Sequence, residues 1–233
     1  MKKHSIKGLW ALLIILLLLI IDQVIKVEVK TSMYLGESIR VTDWFFITFI
    51  ENKGMAYGMN FIYKPLLTVF RIVTSFAIVY YIYKVIKHGQ SMWYVACLSM
   101  ILAGAAGNIF DCLFYGQIFT ISTPYNISEF TSFGDGYAPL LQGRVVDMFY
   151  FPLIVTTWPE WVPVWGGQEY IFFSPVFNFA DSCISVGVVL LILFFRKEFE
   201  TMAHVLFEGT RFEKKTEEKP AEGESDNQNK ENE

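Results

Sequence analysis

Two aspartates carry the chemical signal of this chain. Asp147 lies in GRVVDMFY and Asp181 in FNFADS. Asp181 follows Ser174-Pro175, a good N-cap and first-turn pair, by roughly 9 Å of helix. The run from Cys183 to Phe195 beyond it is almost wholly apolar and ends at Arg196-Lys197. The sequence therefore predicts an ionisable group just inside a membrane helix, which is costly and marks a functional site with a partner. Asp147, in a loop expected to return toward the membrane, is that partner. When two carboxyls share a site, repulsion keeps one protonated while the other is ionised at neutral pH. The ionised member can activate water; the protonated one can polarise a carbonyl and then donate to a leaving amine. That is aspartyl hydrolase chemistry. It needs neither metal nor cofactor, and none is expected.

Other polar residues gather at the same expected depth. Asp22 and Lys26 stand at i and i+4, Asn108 and Asp111 at i and i+3, and Asn178 and Asp181 at i and i+3, with Asn52 in the first segment outside the helices. Each could serve only as a helix-end anchor, but Asp147 and Asp181 have no basic partner within their own turn. His4, His88 and His204 are expected on the opposite side of the membrane, so no zinc-peptidase cluster forms. No serine–lysine or cysteine–histidine arrangement accompanies the aspartates.

The elements that hold these residues follow from composition. The chain has 233 residues, 53% hydrophobic and 17% aromatic, too apolar for an ordinary soluble domain. Four spans are expected, at about 6–27, 66–83, 92–114 and 175–195, in an all-α membrane protein. Lysines at 2, 3, 7, 84 and 87, with Arg196 and Lys197, place both termini and the short second loop in the cytoplasm. The first span has the length of a signal-peptide core, but no small-residue cleavage pattern follows, so it reads as retained. Residues 39–50 favour a small β-rich segment between helices 1 and 2, outside the membrane. Between helices 3 and 4 a long outward loop is expected, with Trp158-Pro159-Glu160-Trp161 and Trp165 at headgroup level. Residues 212–233 carry eight acids and four lysines, hence the whole net charge of −4, and read as a disordered tail. No basic patch points to nucleic acid. Cys97, Cys112 and Cys183 lie in or beside apolar runs and read as buried thiols.

Five ordered blocks now stand together: DQVIK (22–26), ENKGMAYG (51–58), AGAAGNIFD (103–111), GRVVD (143–147) and FNFAD (177–181). In these the chain resembles the lipoprotein signal peptidases, four-helix membrane aspartyl peptidases of bacteria, from about residue 6 to 197. The resemblance implies Asp147 and Asp181 as a catalytic dyad in the cytoplasmic membrane, at its outer face. It implies Asp22, Lys26, Asn52, Gly54, Asn108, Asp111 and Asn178 as supporting or substrate-contacting residues. The implied substrate is a prolipoprotein with a diacylglyceryl cysteine, cut just before that cysteine. Two departures stand out. The family's third block usually ends in an arginine implied to hold substrate, whereas Cys112 follows Asp111 here; Arg144 or Arg71 is the expected substitute. The segments 113–142 and 148–174 are longer than the family's, and their Gly/Pro-rich aromatic content favours a lid. The competing class is a non-enzymatic four-helix protein, binding lipid or carrying protons, whose carboxylates would sit deeper and face another helix.

Overall fold

The computed structural model describes residues 2–52 and 63–203. Helix α1 (Lys2–Ser32) is a long leucine- and isoleucine-rich rod with no internal proline. It runs five residues beyond the expected span because Lys26 and Lys30, a turn apart on one face, are both buried against acidic partners. Helix α2 (Tyr63–Lys87) returns, and α3 (Met92–Phe110) starts at Ser91, whose hydroxyl accepts the Trp93 N–H. Beyond Phe110 the helix loosens into a π-helical turn, Asp111–Tyr115, then tightens again as α4 (Gly116–Ile118). Wide turns of this kind cluster at functional sites.

A four-stranded antiparallel sheet stands beside the helices, in the order β1 (Ser38–Arg40), β2 (Phe46–Asn52), β3 (Val145–Tyr150) and β6 (Val176–Phe177). A separate hairpin joins β4 (Ile154–Thr157) to β5 (Glu169–Phe172). The all-α expectation is therefore corrected. The β segment after α1 is present, but it recruits two strands from the stretch expected as loop. The reason is local: VVDMFY is β-branched and aromatic, which suits a pleated surface. Asp147 thus sits on a strand, not in a loop. Opposite it, Ile47 pairs with Phe149 but Ile50 with Asp147, so β2 carries one extra residue, a bulge beside the aspartate.

The last helix is also corrected. Val176 and Phe177 pair with Tyr150 and Phe149, so α5 (Phe179–Phe194) begins after Asn178 and not at Pro175. Of four expected spans, α1, α2 and the α3–α4 rod are long and apolar enough to cross a membrane. Helix α5 has 16 residues and qualifies only together with α6 (Arg196–Ala203), across an 88° bend.

Two apolar clusters hold these parts. One joins Ala11, Ile82, Val85, Tyr94, Val95, Leu98 and Leu102 to Met202 of α6. The other joins the end of α1 to the sheet and the π-helical turn through Val29, Met33, Phe49, Tyr115, Phe119, Val146 and Met148. Phe119 packs into this second core and Tyr137 against it, while buried Ser122 bonds to Lys30 and Glu51, so the 119–143 segment is fastened to the sheet.

Candidate active site

The two aspartates are brought together by the edge between sheet and helices. Asp147 is 3% exposed on β3. Its Oδ2 accepts the Asn52 Nδ2–H at 3.0 Å, from the diagonal position on β2, and its Oδ1 accepts from Asn178 Nδ2 at 2.7 Å. Asp181 is the third residue of α5. Asn178 is the N-cap: its side chain accepts the Asp181 N–H at 2.9 Å while the Asp181 carboxylate reaches back to the Asn178 N–H at 3.5 Å. This reciprocal cap explains why α5 starts where it does. Asn178 therefore touches both aspartates, one through its amide and the other through its carbonyl. Burial foremost, and then the charge of Asp181, push the Asp147 carboxyl up to about 7, against the two amide donors that favour its ionised form.

Beneath the pair lies a closed polar network. Asn108 on α3 donates to Asp181 Oδ1 at 2.8 Å, and its carbonyl accepts from Asn178 at 3.1 Å and from Lys26 Nζ at 3.0 Å. Lys26, fully buried, spends its other two protons on Asp22 and Asp111, both at 2.8 Å. Asp22 Oδ1 accepts the Ala180 N–H of α5 at 2.9 Å, and Asp111 Oδ2 accepts the Val146 N–H of β3 at 3.4 Å. All three ammonium protons of Lys26 are thus used inside the protein. Lys26 holds the helices and β3 in register and has no donor left for a substrate. The close approach depends on Gly104 and Gly107, where a Cβ would strike the Ala180 carbonyl and the Asp22 carboxylate respectively.

An open cleft of about 690 Å³ leads to Asp181, walled by Phe45, Phe149, Phe151 and Phe177 and floored by Ser182 and Ser185 of α5. A buried carboxyl, Asp147, beside a partly exposed one, Asp181, at the end of an apolar cleft can do the proton chemistry of hydrolysis. Among the described residues no group of three or more His, Cys, Asp or Glu side chains is arranged to hold a metal ion.

The family model for signal peptidase (SPase) II matches residues 14–197. The chain belongs to the signal peptidase II family. It is 51% identical to the lipoprotein signal peptidase of Porphyromonas gingivalis (strain ATCC 33277) over 181 residues, 77% of this chain and 80% of that protein. Against the lipoprotein signal peptidase of Amoebophilus asiaticus it is 38% identical, over 77% of this chain and 75% of the other. A bacterial membrane enzyme solved by the in meso method superposes with a TM-score of 0.55 at 27% identity, covering 80% of this chain and 92% of that one.

Within this signal peptidase II chain, Asp22, Lys26, Asn52, Asn108, Asp111 and Asn178 all join one hydrogen-bonded body with Asp147 and Asp181. Gly54 lies outside the described residues. Arg144 is turned to Glu51, Nη1 to Oε2 at 2.8 Å, so the expected substitute arginine is committed to an ion pair. Arg71 instead reaches Cys112, Nη1 to Sγ at 3.7 Å.

Three groups had no role in the sequence reading. Gln23 donates to Asp22 and Asp111 and accepts from Tyr115, tying α1 to the π-helical turn. Glu51 gathers Lys30, Arg144 and Ser122, clamping α1, β2 and the 119–143 segment together one residue from Asn52. Burial alone would raise the Glu51 carboxyl, but Lys30 and these donors bring it below its ordinary value. Both residues sit inside the motif blocks, and Lys30 follows Lys26 by four positions; that spacing was the available signal. The aromatic cleft wall had none, because its rings come from three distant stretches.

Proposed function

We propose that this chain is an aspartic endopeptidase that removes the signal peptide from prolipoproteins, cleaving before a diacylglyceryl cysteine, with Asp147 and Asp181 as its dyad. The single observation that carries the dyad is Asn178, which bonds to both aspartates at the end of the aromatic cleft. With Asp147 pushed up to about 7, the pair holds one proton near neutrality. Asp181, at the cleft, takes a proton from the attacking water as its oxygen bonds to the scissile carbonyl. Asp147 gives its proton to the carbonyl oxygen. Collapse of the tetrahedral intermediate breaks the C–N bond: one of its hydroxyls returns a proton to Asp147 as the carboxyl product forms, and Asp181 gives its proton to the leaving amine, so the pair again holds one proton. The phenylalanine walls suit an apolar substrate, and the serines on α5 offer hydroxyls to its backbone.

The same reading sets four spans, with α5 as the fourth, and places both termini in the cytoplasm and the dyad at the outer face. The basic residues at the α2–α3 turn and after α5 support it. The test is cleavage of a synthetic diacylglyceryl lipopeptide by the purified chain. Cleavage anywhere but before the modified cysteine, or none at all, would leave the dyad without this role.

A further inference from the structure

Arg71 is not neutralised as Lys26, Lys30 and Arg144 are. Lys26 and Lys30 are buried and each lies within 2.8 Å of a carboxylate, and Arg144 pairs with Glu51. Arg71, half-buried on the membrane-length helix α2, makes no ion pair among the described residues; its one polar contact there is the Cys112 thiol. Residues 53–62, which precede α2, contain no Asp or Glu in sequence. A charge in a membrane helix is expensive unless something of opposite sign meets it.

Ile72, the residue after Arg71, is part of the wall of a groove of about 370 Å³ between α1, α2 and α3, with Leu19, Phe76, Ile109 and Leu113. Its lining is apolar but for Ser75, whose buried hydroxyl has no hydrogen-bond partner, the sole such side-chain atom among the described residues. Ser75 stands one turn past Arg71, a rise of about 6 Å. A cation at one end, an unsatisfied donor one turn further on, and apolar walls beyond form a graded sequence. It matches a phosphate, an ester carbonyl and an acyl chain in that order.

We propose that this groove binds a phospholipid of the bilayer, with its phosphate on Arg71, an ester carbonyl on Ser75 and an acyl chain against Ile72, Phe76 and Leu113. Charge complementarity selects the occupant: a guanidinium without a carboxylate calls for an anion, which an uncharged diacylglyceryl group does not supply. The site stands on α1–α3 crossing the membrane and does not depend on the dyad.

The test uses the full chain, purified in mild detergent and stripped of lipid, with native mass spectrometry as readout. Titration with phosphatidylglycerol and with an uncharged diacylglycerol should show the phosphate-bearing lipid binding at least about tenfold more tightly. Arg71→Gln should abolish that preference, Arg71→Lys should keep most of it, and Ser75→Ala should weaken binding of phosphatidylglycerol by about threefold. Thermal unfolding checks that each variant is folded. Equal binding of the two lipids by the wild-type protein overturns the proposal, and that measurement needs no variant. Unchanged phosphatidylglycerol binding in Arg71→Gln overturns it too. If Arg71→Gln instead raised only KM for a diacylglyceryl lipopeptide, the groove would belong to substrate and the phospholipid assignment would fall.

Discussion

Asn178 holds Asp147 and Asp181 with opposite ends of one amide: its Nδ2 lies 2.7 Å from Asp147 Oδ1, and its Oδ1 accepts the Asp181 N–H at 2.9 Å. The side chain that caps the helix at the Asp181 backbone is the one that donates to the Asp147 carboxylate. Asn178→Asp would add a third carboxyl where a donor is needed, and Asn178→Ala would leave Asp147 with the Asn52 amide. Either should lower kcat by about 100-fold or more, given the usual size of a general acid–base contribution. Ala should also lower stability by about 1 kcal/mol for the lost cap. Single-turnover cleavage alongside thermal unfolding separates the two effects.

Replacing Asp147 or Asp181 with Asn should cost about 100- to 10,000-fold in turnover, since an amide neither activates water nor donates the proton. The double variant should be little worse than either single one, because the groups act as a unit. Near wild-type turnover in either variant would end the dyad assignment.

The raised Asp147 carboxyl sets a pH dependence of both activity and stability. Activity should fall as the pH rises through about 7 and the proton on the pair is lost. For stability the sign follows from proton counting. Between its ordinary value of 3.8 and about 7, the folded chain keeps a proton that the unfolded chain has released. The contribution is therefore full below about 4 and is lost as the pH climbs through 7. The difference in unfolding temperature between wild type and Asp147→Asn should change across that window and level off above it. A difference independent of pH would contradict the assignment.

Glu51→Gln should strand Lys30, which is fully buried, and weaken the hold on Arg144. Leaving a buried charge unpaired costs about 3–5 kcal/mol, so a large fall in unfolding temperature is expected. Adding Lys30→Met should restore much of it. If the double variant is no better than Glu51→Gln alone, the cost lies outside this pair.

Gly107→Ala should damage the site through packing, because the new methyl meets the Asp22 carboxylate that holds Lys26 and the Ala180 N–H. A cost of about 1–3 kcal/mol with a matching loss of turnover is expected, measured by unfolding and cleavage together. Full activity would show that α1 and α3 can move apart freely.

The polar residues of the site were legible because they interrupt apolar runs. Asp22, Lys26, Asn108 and Asp181 are expensive where they stand, and their spacings put them on shared helix faces. The strand around Asp147 was not, since its partner Asn52 is 95 positions away and nothing local names that pairing. Ser174-Pro175 offered a better-looking helix start than Asn178. The start moved because Val176 and Phe177 find ladder partners on β3, and the Asn178–Asp181 box then satisfies the open end. Glu51 opens the second motif block, but only the folded chain reveals three donors converging on it.

The π-helical turn at Asp111–Tyr115 bears on how this region tolerates changes in length. Such a turn accommodates one more residue than an α-helix would, so deleting a single residue there could heal into regular helix with no broken ladder. The healed helix would nonetheless point everything after it about 100° away. Gly116 would leave the Ala138 backbone, on whose carbonyl side a methyl has no room, and Tyr115 would leave Gln23. Substitutions in 112–114 should therefore accumulate more readily over descent than insertions or deletions, and related chains are expected to hold the distance from Asn108 to Gly116 fixed while the loops around it vary.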